Sequence, residues 1–162
     1  MKRISRSVSR ILVVSALLTA SISSHAGDNI IGTQVWGQLS GGGSSATSGL
    51  AGSVLNLYYQ GKLSDKSAFV LSFQTDSGLN VYSGAYKGYF SGKYANAPYW
   101  ALGAGIYDFG GFASVTTANA SIGYYMAATE NIVVGFDATY ASAISGGSGS
   151  LTSLGVNVGY MF

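Results

Sequence analysis

Between Ile31 and Phe162 the chain alternates apolar with small or polar residues at a period of two, in eight separate segments. A strand turns successive side chains to opposite faces, so each segment reads as a strand with one apolar face. Past the first 26 residues no apolar run approaches the roughly 18 residues of a membrane-crossing helix. The only other way to satisfy every backbone group in hydrocarbon is a sheet closed on itself.

The pattern is clearest at the end of the chain. In Thr152–Phe162, Leu154, Val156, Val158, Tyr160 and Phe162 share one face, and Ser153, Gly155, Asn157, Gly159 and Met161 the other. Asn131–Ala141 sets Ile132, Val134, Phe136, Ala138 and Tyr140 against Gly135, Asp137 and Thr139. The sixth segment sets Ala118, Ala120, Ile122, Tyr124 and Met126 against Thr117, Asn119, Ser121 and Gly123. The fifth sets Trp100, Leu102, Ala104 and Ile106 against Gly103, Gly105 and Tyr107. The fourth is the longest, Val81–Tyr94, with an outward ladder of Tyr82, Gly84, Tyr86, Gly88, Phe90, Gly92 and Tyr94. Its inward set is Ser83, Ala85, Lys87, Tyr89, Ser91 and Lys93. Phe69, Leu71 and Phe73 face outward in the third segment, against Ser72, Gln74 and Asp76. In the second, Leu55, Leu57 and Tyr59 oppose Asn56, Tyr58 and Gln60. The first is the weakest: Ile31, Thr33, Val35 and Leu39 against Gly32, Gln34, Trp36 and Gln38.

Charge placement tests this assignment, because a lysine facing mid-bilayer lipid costs about 2–4 kcal/mol. The charges inside segments are Asp76, Lys87, Lys93 and Asp137, and all take the inward parity. The remaining charges lie in connections or before the first segment. Lys62–Lys66, Ala95–Pro98 and Ala128–Asn131 read as tight turns. Leu39–Leu50, Thr75–Asn80, Asp108–Gly111 and Ala143–Ser150 read as loops, the first and last rich in glycine and serine. An even strand number with short periplasmic turns places both termini in the periplasm. Tyr59, Phe69, Tyr94, Trp100, Tyr124 and Phe162 then gather at the periplasmic strand ends as an aromatic girdle.

Residues 1–26 have the pattern of a secretory signal. Lys2, Arg3, Arg6 and Arg10 precede the apolar stretch Ile11–Ala20, and Ser24-His25-Ala26 supplies small residues at a cleavage site. Cleavage before Gly27 leaves one domain, residues 27–162, with four lysines against six acids and a net charge of −2. The precursor's positive charge therefore implies no nucleic-acid partner, which would call for a basic face. The one histidine, His25, leaves with the signal, and the chain has no cysteine. Charged residues make up 9% of the sequence, far below the roughly 25% of soluble domains. The expected fold is an all-β, eight-stranded antiparallel up-and-down transmembrane barrel in the bacterial outer membrane.

With its signal, eight alternating segments and the ending Val156-x-Val158-x-Tyr160-x-Phe162, the chain resembles the small outer-membrane barrels: the OmpX class, the OmpA membrane domain and the opacity-type proteins. The resemblance implies contact with outer-membrane lipid and lipopolysaccharide, and a monomeric barrel. It implies that the last segment is read by the outer-membrane assembly machinery. The sequence departs from these barrels in its loops, which are short, built of glycine, serine, alanine and threonine, and without clustered aromatic or charged anchors.

Barrels of this size that act on lipid A use a histidine base with serine and an acid, and the mature segment has no histidine. Lys87 with Ser83 or Ser91 is the one remaining nucleophile–base pairing, weighed against a lysine simply paired with a carboxylate such as Asp137. The acids are too dispersed for calcium, and Gly103-x-Gly105 lacks the third glycine and helix of a phosphate loop. No cofactor is expected. A secreted fibre subunit would show recurring units, and none is present. The ladder of the fourth segment reads as rings covering glycines and fixing register. A self-associating or lipid-binding seam is the other reading of it. The role expected is non-enzymatic, structural or surface-directed. The alternative is a narrow channel lined by Gln34, Asn56, Gln74, Asp76, Lys87, Lys93, Asn119, Asp137 and Asn157, because many inward residues are glycine.

Overall fold

The computed structural model describes residues 27–43, 53–76, 79–91, 94–110 and 113–162. The expected signal, residues 1–26, lies outside them. Eight strands follow in order: β1 (Asn29–Gly43), β2 (Ser53–Ser64), β3 (Ser67–Asp76), β4 (Leu79–Tyr89), β5 (Pro98–Asp108), β6 (Ser114–Ala127), β7 (Ile132–Ser145) and β8 (Gly149–Met161). Each pairs antiparallel with its neighbours, and β1 pairs with β8 to close the barrel. Closure leaves no sheet edge, so every strand has a partner on both sides.

The alternation sets the two faces as expected. Leu55, Leu57, Leu102, Ile106, Ile122, Phe136, Leu154, Val156, Val158 and Tyr160 are exposed on the exterior. Gln34 and the buried residues Trp36, Asn56, Tyr58, Gln74, Lys87, Asp137 and Asn157 line the lumen. In the exterior ladder a ring covers Gly88, while Gly84 meets a leucine. A Cβ at Gly88 would lie 2.5 Å from the Trp100 indole, and one at Gly84 3.6 Å from Leu71. Tyr86 packs on Trp100 at 5.6 Å, and Phe73 on Tyr82 at 5.2 Å.

Strand ends differ from the periodic reading. β1 continues to Gly43 through a register shift between Gln38 and Ser40, so the expected loop begins later. Only residues 77–78 separate β3 from β4, and 146–148 separate β7 from β8. Polar and glycine residues at these ends take a pairing partner when the facing strand supplies one. The turn between β2 and β3 likewise shrinks to Asp65–Lys66.

The largest correction concerns the fourth segment. β4 stops at Tyr89, and Phe90 already lies in a bend. Gly92 and Lys93 lie outside the described residues, so their assigned faces are not observed. Tyr94 is not on the exterior. It turns inward, packs against Tyr89 at 5.7 Å and donates to the Asp28 carbonyl at 3.2 Å. Ala95 follows with φ of 56°, a left-handed turn that folds the connection under the barrel. An aromatic ring at the mouth gains more by filling the lumen than by standing clear of it. Burial pushes the Tyr94 hydroxyl above the ordinary phenol range. Tyr59 keeps its outward parity but is covered, stacking on Phe69 at 5.7 Å and donating to Asn29 Oδ1 at 2.5 Å. Both leave the expected girdle thinner than the sequence implied.

Candidate functional site

The lumen is filled in layers. At the end carrying both termini and the β2–β3, β4–β5 and β6–β7 turns, Ile30, Tyr58, Tyr89, Tyr99, Tyr125 and Val133 are buried, with Tyr94 beneath them. The inward glycines make this packing possible. A Cβ at Gly123 would lie 2.6 Å from the Tyr99 ring, and one at Gly32 2.7 Å from the Tyr58 ring. A Cβ at Gly135 would strike the Tyr125 ring. These glycines do not thin the wall. They are seats for tyrosines from neighbouring strands.

Above the tyrosines lies a polar layer centred on Asp137, which is 7% exposed. Gln34 Nε2 donates to both its oxygens, at 3.0 and 2.8 Å. The Tyr99 hydroxyl donates at 3.0 Å and Asn157 Nδ2 at 2.8 Å. Asn56 Nδ2 donates in turn to Gln34 Oε1 at 3.2 Å. Each of these hydrogen bonds offsets part of the hydration the buried carboxyl group has lost. Gly155 makes room for it: a Cβ there would sit 2.6 Å from Gln34 Nε2 and 2.9 Å from Asp137 Oδ1.

Lys87 is buried at 5% exposure but is not ion-paired to Asp137 as the sequence suggested. Its ammonium lies 4.1 Å from the Tyr99 ring centroid and 4.2 Å from that of Tyr125. Two ring faces in a dry setting are worth about 2 kcal/mol or more to a cation. Tyr99 therefore joins the two charges, with its face to Lys87 and its hydroxyl to Asp137. Both tyrosines were missed by sequence reasoning. Their signal was present, since each sits at opposite parity to an outward aromatic, Trp100 and Tyr124.

Toward the loop end, Trp36, Leu79, Val81, Ala141 and Leu151 form an apolar layer with Tyr107 and Phe109. Between the two layers runs a cavity of about 150 Å³, lined by Gln34, Trp36, Asn56, Gln74, Lys87, Asn119, Asp137 and Asn157 among others. It thus gathers seven of the nine lumen residues singled out from the sequence. Asp76 ends β3 opposite Leu79, and its side chain, like Lys93, lies outside what is described. Val156, Val158 and Tyr160 form an exposed apolar row on β8, with Phe162 following. Ser83 hydrogen-bonds Ser72 at 2.6 Å rather than meeting Lys87. Among the described residues no cluster of three or more potential metal ligands occurs.

Comparison with solved structures finds this architecture in Ail, the attachment invasion locus protein of Yersinia pestis. The Ail crystal structure aligns with a TM-score of 0.54 at 17% identity, over 83% of this chain and 97% of Ail. The fold is that of the Ail barrel. Ail in complex with the heparin analogue sucrose octasulfate aligns at a TM-score of 0.51, with 14% identity and 83% and 97% coverage. Ail in a phospholipid bilayer nanodisc aligns at 0.51, with 17% identity and 84% and 99% coverage. The likeness to Ail agrees with the resemblance carried by the alternating segments. No family model matches the chain. No curated protein matches it either.

Proposed function

We propose that this chain is an integral outer-membrane barrel with a non-enzymatic, structural or surface-directed role, and that it does not conduct ions. The reading rests on one observation: the turn-end half of the lumen is packed by Tyr58, Tyr89, Tyr99 and Tyr125, all 5% exposed or less. An eight-stranded barrel encloses a space that side chains just fill, and here they fill its turn-end half. The exterior, apolar on every strand, suits hydrocarbon. Residues 1–26 serve as a cleaved signal, both termini and the β2–β3, β4–β5 and β6–β7 turns face the periplasm, and the β8 row serves assembly. The barrel is a monomer surrounded by outer-membrane lipid and lipopolysaccharide.

Attachment, named for Ail, would act through the loop end. Every described lysine lies elsewhere, Lys62 and Lys66 at the β2–β3 turn and Lys87 in the lumen, and in the sequence Lys93 falls between β4 and β5. A sulfated polyanion such as the Ail ligand therefore meets no cation in the loop sequences, and the charges at that end, Asp76 and Asp108, are acidic.

Two measurements test this reading. The refolded segment 27–162 in a planar bilayer should pass no steady current. Steady conductance that changes on neutralising Lys87 or Asp137 would overturn it in favour of a channel. Phe136→Lys, on the exterior at 62% exposure, should destabilise the barrel in lipid vesicles by about 2–4 kcal/mol. Urea titration checks it, and a change under 0.5 kcal/mol would place that face outside the hydrocarbon.

A further inference from the structure

The lumenal cavity has the construction of a small-ligand site. Tyr58, Tyr99 and Tyr125 line its floor, each 5% exposed or less, and the layer of Trp36, Val81 and Leu151 stands over it on the loop side. Its upper wall is apolar and aromatic, with Trp36, Val81, Tyr107 and Leu151, and its lower wall carries amides, hydroxyls and two charges. Apolar walls with a few convergent polar groups are the usual anatomy of a binding pocket.

The polar groups are not all spent on one another. Gln74, 3% exposed, accepts from Trp36 Nε1 at 3.2 Å through Oε1, and its Nε2 has no partner. Asn56, 9% exposed, donates to Gln34, and its Oδ1 has no partner. Lys87 offers N–H donors from an ammonium that lies over two ring faces. An unmet buried polar group costs about 1–3 kcal/mol, so these groups favour whatever satisfies them.

Their polarities select the ligand. Gln74 and Lys87 need an acceptor, and Asn56 needs a donor. A carboxylate or halide would meet the first two and repel Asn56 Oδ1 and Asp137. A cation would be repelled by Lys87. A hydroxyl both donates and accepts, and a carbon ring or chain bearing hydroxyls presents apolar C–H edges to Trp36 and Tyr107. We infer that the cavity binds a small, neutral, hydroxyl-rich molecule on the scale of a polyol or a single sugar ring.

Trp36 is a built-in reporter once the exterior Trp100 is replaced. Refolded Trp100→Phe in detergent, its folding confirmed by heat-dependent electrophoretic mobility, is titrated with glycerol, glucose and acetate. Trp36 emission should change saturably with a polyol, at least one of the two saturating below about 100 mM, and not with acetate. Ser83→Leu, which fills the cavity from its wall, should weaken the response at least tenfold. Should that variant fail to fold, Lys87→Met on the same background should weaken it likewise. Saturation-transfer NMR from the barrel to the polyol is an independent readout. A folded barrel with no saturable response to either polyol, the cavity then holding water only, overturns the inference. So does a response to acetate alone, or one unchanged in the folded cavity variant.

Discussion

Replacing Asp137 with leucine is expected to lower the unfolding free energy by about 3–5 kcal/mol, the cost of breaking a buried charge network by removing one partner. Four donor groups lose their acceptor at once: the Gln34 amide, the Tyr99 hydroxyl, Asn157 Nδ2 and, at 3.5 Å, Thr139. The Lys87 ammonium also loses the one carboxylate in the cavity wall. Asp137→Asn keeps the shape and costs less. The double variant Asp137→Leu/Lys87→Met should recover part of the loss, because the unbalanced ammonium is gone. Equilibrium urea unfolding in lipid vesicles, followed by tryptophan emission, measures all three. Strict additivity in the double variant would mean that Tyr99 does not join the two charges.

The second large effect comes from adding one carbon. Gly32→Ala and Gly103→Ala should each cost about 1–3 kcal/mol or prevent folding, as overpacking does. At Gly103 the added Cβ would lie 2.8 Å from Ala85 Cα and would strike the Gly84 carbonyl, so the clash is with the β4 backbone. At Gly32 it would lie 2.7 Å from both Gly159 Cα and the Tyr58 ring. Neither neighbour is the end of a flexible side chain, and the strands would have to part. Gly37→Ala is the control, since nothing lies within 4 Å of its added carbon. It should stay within about 0.5 kcal/mol of the parent. The same unfolding assay decides, and a neutral Gly103→Ala would remove close packing as the reason for that glycine.

These two expectations mark where reading the chain residue by residue succeeds and where it stops. The face of each side chain was legible, because the alternation of a strand is a local geometric fact. Lys87 and Asp137 had to point inward whatever surrounded them. The glycines were legible only as small inward residues, and small size suggested an open lumen. Their purpose depends on the ring in the next strand, and no pattern within one segment reveals it.

Strand ends were read less well for a related reason. Tyr94 continues the alternation of the fourth segment, yet it lies beyond the last pairing of β4 with β5, Tyr89 with Tyr99. Where pairing stops, parity has no meaning, and the ring goes where it buries most area. The partner of Lys87 was similarly hidden. Local alternation alone fixed eight strands, two faces, an uncharged exterior and the inward parity of Lys87 and Asp137. Only the tertiary structure decided which groups share a level inside the barrel. Strand tilt and stagger set those levels, and they belong to the closed sheet rather than to any single strand.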